Sequence, residues 1–224
     1  MGASEHLTDV HAKATGIEPV AGRRYAANNP ASQLWIHVTG WHSVLKCYEM
    51  YGPGPLSASE EARYWRDCVV AAELQTCDPA AVPTSRDEVR QYFAHVRPSL
   101  CLTERGRRAM HYLLRTDGHG PRVRIGSSLL APATIATLPA WMREMGGFEQ
   151  WGVIDRGYRL PVRATMGAFA LRNGQGTAAF TRLLAPHTAD ILRRHRAQGA
   201  EPAGLDTVTP AAARQRYGRR TAAV

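Results

Sequence analysis

The sequence lacks several features that assign a function in other proteins. Its four cysteines, Cys47, Cys68, Cys77 and Cys101, form no CxxC pair and no zinc-ribbon spacing. This argues against a disulfide framework and against a cysteine zinc site. No apolar run approaches the roughly 20 residues needed to cross a membrane. The N-terminus also lacks the basic and apolar regions of a secretory signal. We therefore expect a cytoplasmic protein with no stable membrane insertion.

Sequence motifs of the common catalytic classes are missing as well. There is no Gly-x-Ser-x-Gly elbow, no phosphate-binding loop and no dinucleotide fingerprint. Cys101 is not in the glycine-flanked loop that a haem-thiolate ligand uses. Serine hydrolase, nucleotide-dependent and haem-thiolate chemistry are therefore disfavoured.

Acidic residues are scarce in the second half of the chain. The net charge is +9, and all of this excess falls in residues 113–224, whereas residues 1–112 are balanced. An arginine-rich half is compatible with binding to nucleic acid or to an anionic surface. No base-reading or base-stacking motif accompanies the charge. Binding to nucleic acid or to an anionic surface is therefore the weakest of the three functions that we consider, and we expect no nucleic-acid partner.

The pattern of capping residues, prolines and apolar positions predicts an all-α protein. Asn29 and Pro30 begin the clearest helix, which Gly52 ends, and Ser57 with Glu60 makes a capping box for the next. We predict one helical-bundle domain of about seven to nine helices over residues 1–198. An Arg- and Ala-rich tail with a short helix follows over residues 199–224. The predicted helices are 4–15, 30–51, 57–76, 85–97, 103–115, 132–145, 153–172 and 177–197.

Two histidines lie on the apolar faces of the first two predicted helices. His37 shares one broad face with Leu34, Val38 and Leu45, and His11 borders the narrow apolar face of the preceding helix. An unpartnered polar group in a core costs about 1–3 kcal/mol, so each imidazole needs a partner. Helical spacing alone does not decide whether that partner is an iron ion or an ordinary hydrogen-bonding group of the protein.

Three consecutive motifs resemble a known family. They are His11-Ala-Lys-Ala-Thr-Gly16, Tyr25-Ala-Ala-Asn-Asn-Pro30, and Leu34-Trp35-Ile-His37-Val-Thr39 with the later Ser43. Together they resemble the MpaB-type oxygenases and latex-clearing rubber oxygenases. The segment Leu138-Pro139-Ala140-Trp141-Met142-Arg143 is similar to the same family, as is the stretch Thr207–Gly218.

The resemblance implies an all-helical oxygenase that binds haem b. His11 matches the histidine that ligates the iron in that family. Trp35, His37 and Trp41 would line the cofactor pocket, and His37 and Thr39 are the expected catalytic residues. The implied substrates are O2 and a small apolar molecule, either isoprenoid-like or a secondary metabolite.

The sequence departs from the family pattern in two places. Family members carry a further segment before the first histidine, whereas ten residues precede His11 here, so an N-terminal truncation is expected. Gly40-Trp41-His42 also replaces an aliphatic pair followed by an acid. These departures favour the second hypothesis, a haem-less helical relative that acts as a binding or scaffold protein. A missing pocket wall would also favour a homo-oligomer.

Overall fold

The computed structural model describes residues 2–74, 76–115 and 130–171, together with five positions between 182 and 194. Within these residues there are eight α-helices, and the prediction of an all-α fold is confirmed. The helices are α1 Gly2–Ala12, α2 Pro30–Tyr51, α3 Ala58–Ala72, α4 Arg86–Val96, α5 Glu104–Arg115, α6 over residues 130–137, α7 Ala140–Gly146 and α8 Gly152–Leu171. Two short 3-10 helices cover Pro79–Ala81 and Arg97–Ser99.

The described residues form two compact units. The first contains residues 2–46 and 56–109, and the second contains residues 47–55 and 110–171. Helix α2 therefore contributes Cys47–Tyr51 to the second unit. The single domain over residues 1–198 stays a prediction, while the tail 199–224 and most of the helix expected at 177–197 lie outside the described residues.

A small β-hairpin connects α1 to α2, where the sequence predicted only a loop. Strands β1 Thr15–Ile17 and β2 Arg24–Ala26 pair antiparallel, with Gly16 opposite Tyr25. The Glu18 carboxylate closes the turn because it accepts hydrogen bonds from the backbone N–H groups of Arg23, Ala21 and Val20. These bonds hold the pKa of Glu18 below its ordinary value.

The first unit is built on α2, α3 and α4. Trp65 on α3 is buried to 2% exposure, and its indole N–H donates to Glu61 at 3.2 Å. Glu61 in turn accepts from Arg86 of α4 at 2.7 Å. Tyr64 of α3 donates to the Trp41 carbonyl of α2 at 2.7 Å. Burial of a side chain as large as that of Trp65 contributes about 3 kcal/mol, so this aromatic side chain anchors the unit.

The second unit contains α6, α7 and α8. The sequence predicted one helix over 132–145, but α6 and α7 are separate, because Pro139 has no N–H group and disfavours helical geometry at Leu138. Arg143 of α7 bonds Asp155 of α8 at 2.6 Å and also donates to the carbonyls of Leu138 and Ala136. One guanidinium group therefore joins all three helices.

Replacing Gly146 with alanine is expected to destabilise the protein by about 1–3 kcal/mol. A Cβ atom at this position would lie 2.5 Å from Cδ2 of Phe148, which is only 5% exposed and packs on His111 at 4.5 Å between ring centroids. Thermal unfolding measures the effect. Gly157→Ala is the matched control, since a Cβ there meets nothing within 4 Å and alanine is the better helix former. Equal melting temperatures for the two variants would contradict this prediction.

Within the described ranges, no helix combines the length and the apolar character that are needed to cross a bilayer. The sequence also predicts a short strand at Val123-Arg124-Ile125 and an exposed turn at Asp117-Gly118-His119-Gly120, and both lie outside those ranges.

Candidate functional site

The hairpin brings the C-terminal end of α1 beside the first turns of α2. The Ala27 N–H donates to the Ala14 carbonyl at 2.9 Å, which extends the hairpin pairing. The side-chain amide of Asn28 donates to the Thr8 carbonyl on α1, also at 2.9 Å. Asn29 then caps α2 by accepting from the N–H groups of Ala31 and Ser32. These bonds set His11 and His37 on adjacent segments of the first unit.

Gln33 connects the two histidines. Its side chain is almost fully buried, at 3% exposure. Its amide nitrogen lies 2.5 Å from the Ala27 carbonyl oxygen and 3.4 Å from Nδ1 of His11. Its amide oxygen lies 3.3 Å from Nε2 of His37. A single buried amide therefore contacts both imidazoles that the sequence analysis singled out.

The Gln33 amide also orders the protons on the two rings. The Ala27 carbonyl accepts a hydrogen bond, so the NH2 group of Gln33 must point towards it and towards His11. Nδ1 of His11 then accepts from Gln33, whereas Nε2 of His37 donates to it. A neutral imidazole has one donor and one acceptor. In this arrangement the proton of a neutral His11 is on Nε2, and Nε2 of His37 carries a proton.

The other predicted site residues occupy different surroundings. Trp41 stacks on His37, with ring centroids 5.4 Å apart and planes inclined by 28°. The Thr39 hydroxyl donates along its own helix, to the carbonyls of Trp35 and Ile36 at 2.8 and 2.9 Å. Trp35 lies on the opposite side of α2 from Gln33 and packs against Phe93 of α4 at 5.9 Å. The structure thus groups His11, His37 and Trp41 around Gln33, whereas Trp35 belongs to the packing between α2 and α4.

Apolar side chains near the two histidines are open to solvent. His11 and His37 are both half-buried. Leu7 and Val10 beside His11 on α1 are 42% and 47% exposed, and Ile36 beside His37 is 58% exposed. One turn further along α2, a Cβ placed on Gly40 would meet nothing within 4 Å. The cluster therefore borders apolar surface that a flat apolar ligand could cover.

A bare metal ion has no ligand set in the described part of the chain. Nowhere in it do three His, Cys, Asp or Glu side chains gather closely enough to hold an ion. A haem is a different case, because the porphyrin supplies four nitrogen ligands and the protein needs to supply only an axial one. An imidazole such as that of His11 is the right type of ligand, but its Nε2 could bind iron only after the proton moved to Nδ1 and the Gln33 amide turned to accept it.

Gln33 is not among the residues that the sequence motifs single out. A signal for it was present, because Gln33, His37 and Trp41 follow one another at intervals of four residues on one side of α2. The contact with His11 could not be inferred from spacing, because it depends on the hairpin.

Comparison with known families gave one match. Residues 2–171 match the family described as ER-bound oxygenase mpaB/B′/rubber oxygenase, catalytic domain. The match covers more than half of the 224 residues and includes the whole His11–Gln33–His37 cluster. No curated protein and no solved structure matches the chain.

Proposed function

Because the chain belongs to the family of mpaB-type and rubber oxygenase catalytic domains, we propose that it is an oxygenase that uses haem b and acts on a small apolar substrate. Membership of an oxygenase catalytic family supports an enzymatic role for the chain. The haem, the role of each residue and the substrate class are the proposal. The observation that carries it is the family match over residues 2–171, together with the half-buried His11 beside exposed apolar surface.

His11 is the residue that would hold the iron. A neutral imidazole binds iron through Nε2 when its other nitrogen, Nδ1, carries the proton and donates it. In the structure Nδ1 of His11 accepts from the Gln33 amide, so holding iron through Nε2 would require the amide to turn its oxygen towards Nδ1. That turn would also break the bond to the Ala27 carbonyl and present the NH2 group to Nε2 of His37, which would then have to accept. The haem, when bound, supplies the iron that activates O2.

His37 and Trp41 would form the polar edge of the pocket. Nε2 of His37 lies 3.3 Å from the Gln33 amide oxygen, and the Trp41 ring stacked on His37 limits rotation of the imidazole. Trp41 also shields the ring from water on one face, which strengthens any hydrogen bond that His37 makes. Thr39 bonds to its own helix, so its proposed catalytic role requires the hydroxyl to exchange a backbone acceptor for a substrate.

The alternative function is that of a haem-less binding or scaffold protein. The hydrogen bonds of Gln33 favour it, because they satisfy both histidines without iron. The two functions differ in what the isolated chain does with haem and O2. The cytoplasmic location and the homo-oligomer stay predictions from the sequence.

Incorporation of labelled oxygen tests the proposed activity. The full chain, loaded with haem, is incubated with ¹⁸O₂ and an apolar unsaturated hydrocarbon such as squalene, and the products are analysed by mass spectrometry. We expect ¹⁸O in the product at a level well above that given by free haem with the heat-denatured chain. An equal label in the two samples would refute the oxygenase proposal and favour the scaffold.

A further inference from the structure

The second unit contains a cavity of about 400 Å³ that is separate from the histidine cluster. Its walls come from the C-terminal end of α2, from α6 and from α8. Nine described residues line it, and none carries a charged side chain. Volumes of about 300–1,000 Å³ are typical of small-molecule sites in proteins.

Three of the polar groups in the walls are already bonded within the protein itself. The Tyr51 hydroxyl donates to the Ala133 carbonyl at 2.7 Å. The Thr134 hydroxyl donates to the Leu130 carbonyl at 3.0 Å. The Cys47 thiol shares a hydrogen bond with Thr137. A ligand that needs a charged or strongly polar partner would lose its hydration without compensation.

The cavity has a mouth through which a ligand can enter. Tyr48, Leu130 and Met166 line it and are 43%, 42% and 40% exposed. By contrast, Tyr51 and Ala133 are buried, at 7% and 3% exposure. Methionine at such a mouth adapts to ligands of different shape, because its side chain is unbranched and polarizable.

The size of the cavity selects the kind of occupant. A dry cavity of about 150 Å³ holds one benzene molecule, so 400 Å³ corresponds to up to about 16 carbon atoms. A protein partner is a poor fit, since a stable interface takes roughly 20–30 residues from each side. The nine described lining residues suit a small molecule.

We propose that this cavity binds an uncharged, hydrocarbon-like molecule of up to about 16 carbon atoms. This proposal does not rest on the haem or on the oxygenase activity. It concerns the second unit alone and is tested without haem.

Two matched dyes provide the test. N-phenyl-1-naphthylamine is uncharged, and 1-anilinonaphthalene-8-sulfonate has a similar ring framework with an added sulfonate. Their binding to the haem-free full chain is followed by fluorescence. We expect saturable binding of the uncharged dye and binding of the sulfonate at least about tenfold weaker. Equal affinity for the two dyes would overturn the proposal, because it would indicate unspecific binding to exposed apolar surface.

A substitution inside the cavity localises the site. Val162→Phe fills part of the volume, and Leu160→Phe is the matched control on the same helix, since Leu160 is 75% exposed and does not line the cavity. We expect Val162→Phe to weaken binding of the uncharged dye by about tenfold or more and Leu160→Phe to leave it unchanged. An equal effect of the two variants would contradict the assignment.

Cysteine protection gives a readout on the wild-type chain, in case Val162→Phe does not fold. Cys47 and Cys101 are both exposed cysteines, but only Cys47 lines the cavity, and Cys101 belongs to the first unit. We expect the uncharged dye to slow the reaction of Cys47 with a maleimide at mildly alkaline pH and to leave that of Cys101 unchanged, as peptide mass spectrometry can show. Failure to protect Cys47, or equal protection of both thiols, would refute binding at this cavity.

Discussion

Replacing His11 with alanine is expected to abolish tight haem binding by this chain. The substitution removes the axial imidazole, whereas loss of a mere supporting partner of a metal ligand typically costs about 10–100-fold in affinity. We therefore expect the affinity for haem to fall by more than about 100-fold. Haem titration followed at the Soret band measures the change.

Two further histidine variants make this result specific. His95 is exposed on α4, and His95→Ala should bind haem as the wild type does. His37→Ala should keep the Soret band but weaken binding by about tenfold, as expected for loss of a supporting partner. Equal haem affinities for His11→Ala and His95→Ala would contradict the assignment of His11 as the ligand.

The same titration examines Gln33. Gln33→Leu removes the partner of both imidazoles while keeping a side chain of similar size, so haem affinity should fall by about 10–100-fold. The Soret band should persist, because the ligand itself is intact. An unchanged affinity would show that the buried amide serves only packing.

Replacing Arg143 with alanine is expected to destabilise the protein by about 2–4 kcal/mol. The Arg143 and Asp155 side chains are only 18% and 25% exposed, and removal of one partner of a largely buried ion pair costs about 3–5 kcal/mol. The partial exposure reduces this cost. The carbonyls of Ala136 and Leu138 at the end of α6 also lose their donor. Denaturant unfolding measures the loss.

The control for this variant is a surface ion pair. Arg107 pairs with Glu104, with side chains 53% and 60% exposed, so Arg107→Ala should cost less than about 1 kcal/mol. Arg143→Lys should be intermediate, because lysine keeps the charge but not the fork that reaches three acceptors. If Arg143→Ala and Arg107→Ala were equally stable, the role of Arg143 in joining the three helices would be refuted.

The contribution of Arg143 should also depend on pH. Burial alone would raise the pKa of Asp155, but the hydrogen bonds from Arg143 and Gln150 outweigh it and lower the pKa. A carboxyl whose pKa is lowered on folding contributes stability above its unfolded pKa of about 4, and this stability is lost as the pH falls through the folded pKa. The difference in the free energy of unfolding between wild type and Arg143→Ala should therefore be largest above about pH 4 and should shrink below it.

Local signals predicted the helices well. Helix α2 has the predicted bounds, Pro30–Tyr51. Asn29 caps its start, Pro30 is its first residue and Gly52 follows its last residue, so local signals fix both ends. The capping box of Ser57 and Glu60 is confirmed in the same way. The break at Pro139 was missed because the apolar pattern continues through it from α6 into α7.

The candidate site was only partly predictable. Helical periodicity placed His37 on the apolar face of its helix, and the motif match drew attention to His11. The contact between them could not be foreseen, because it runs through Gln33 and depends on how the hairpin folds back on α1. The cavity of the second unit was also beyond sequence reasoning, since it joins side chains from three distant helices.

A haem titration of the wild-type full chain, followed by absorption spectroscopy, tests directly whether this chain binds haem through a histidine. We expect saturable binding of one haem per chain, with a Soret band distinct from that of free haem and typical of histidine ligation. A spectrum that remains that of free haem at every ratio would contradict the claim, leaving His11 and His37 as hydrogen-bonded partners of Gln33.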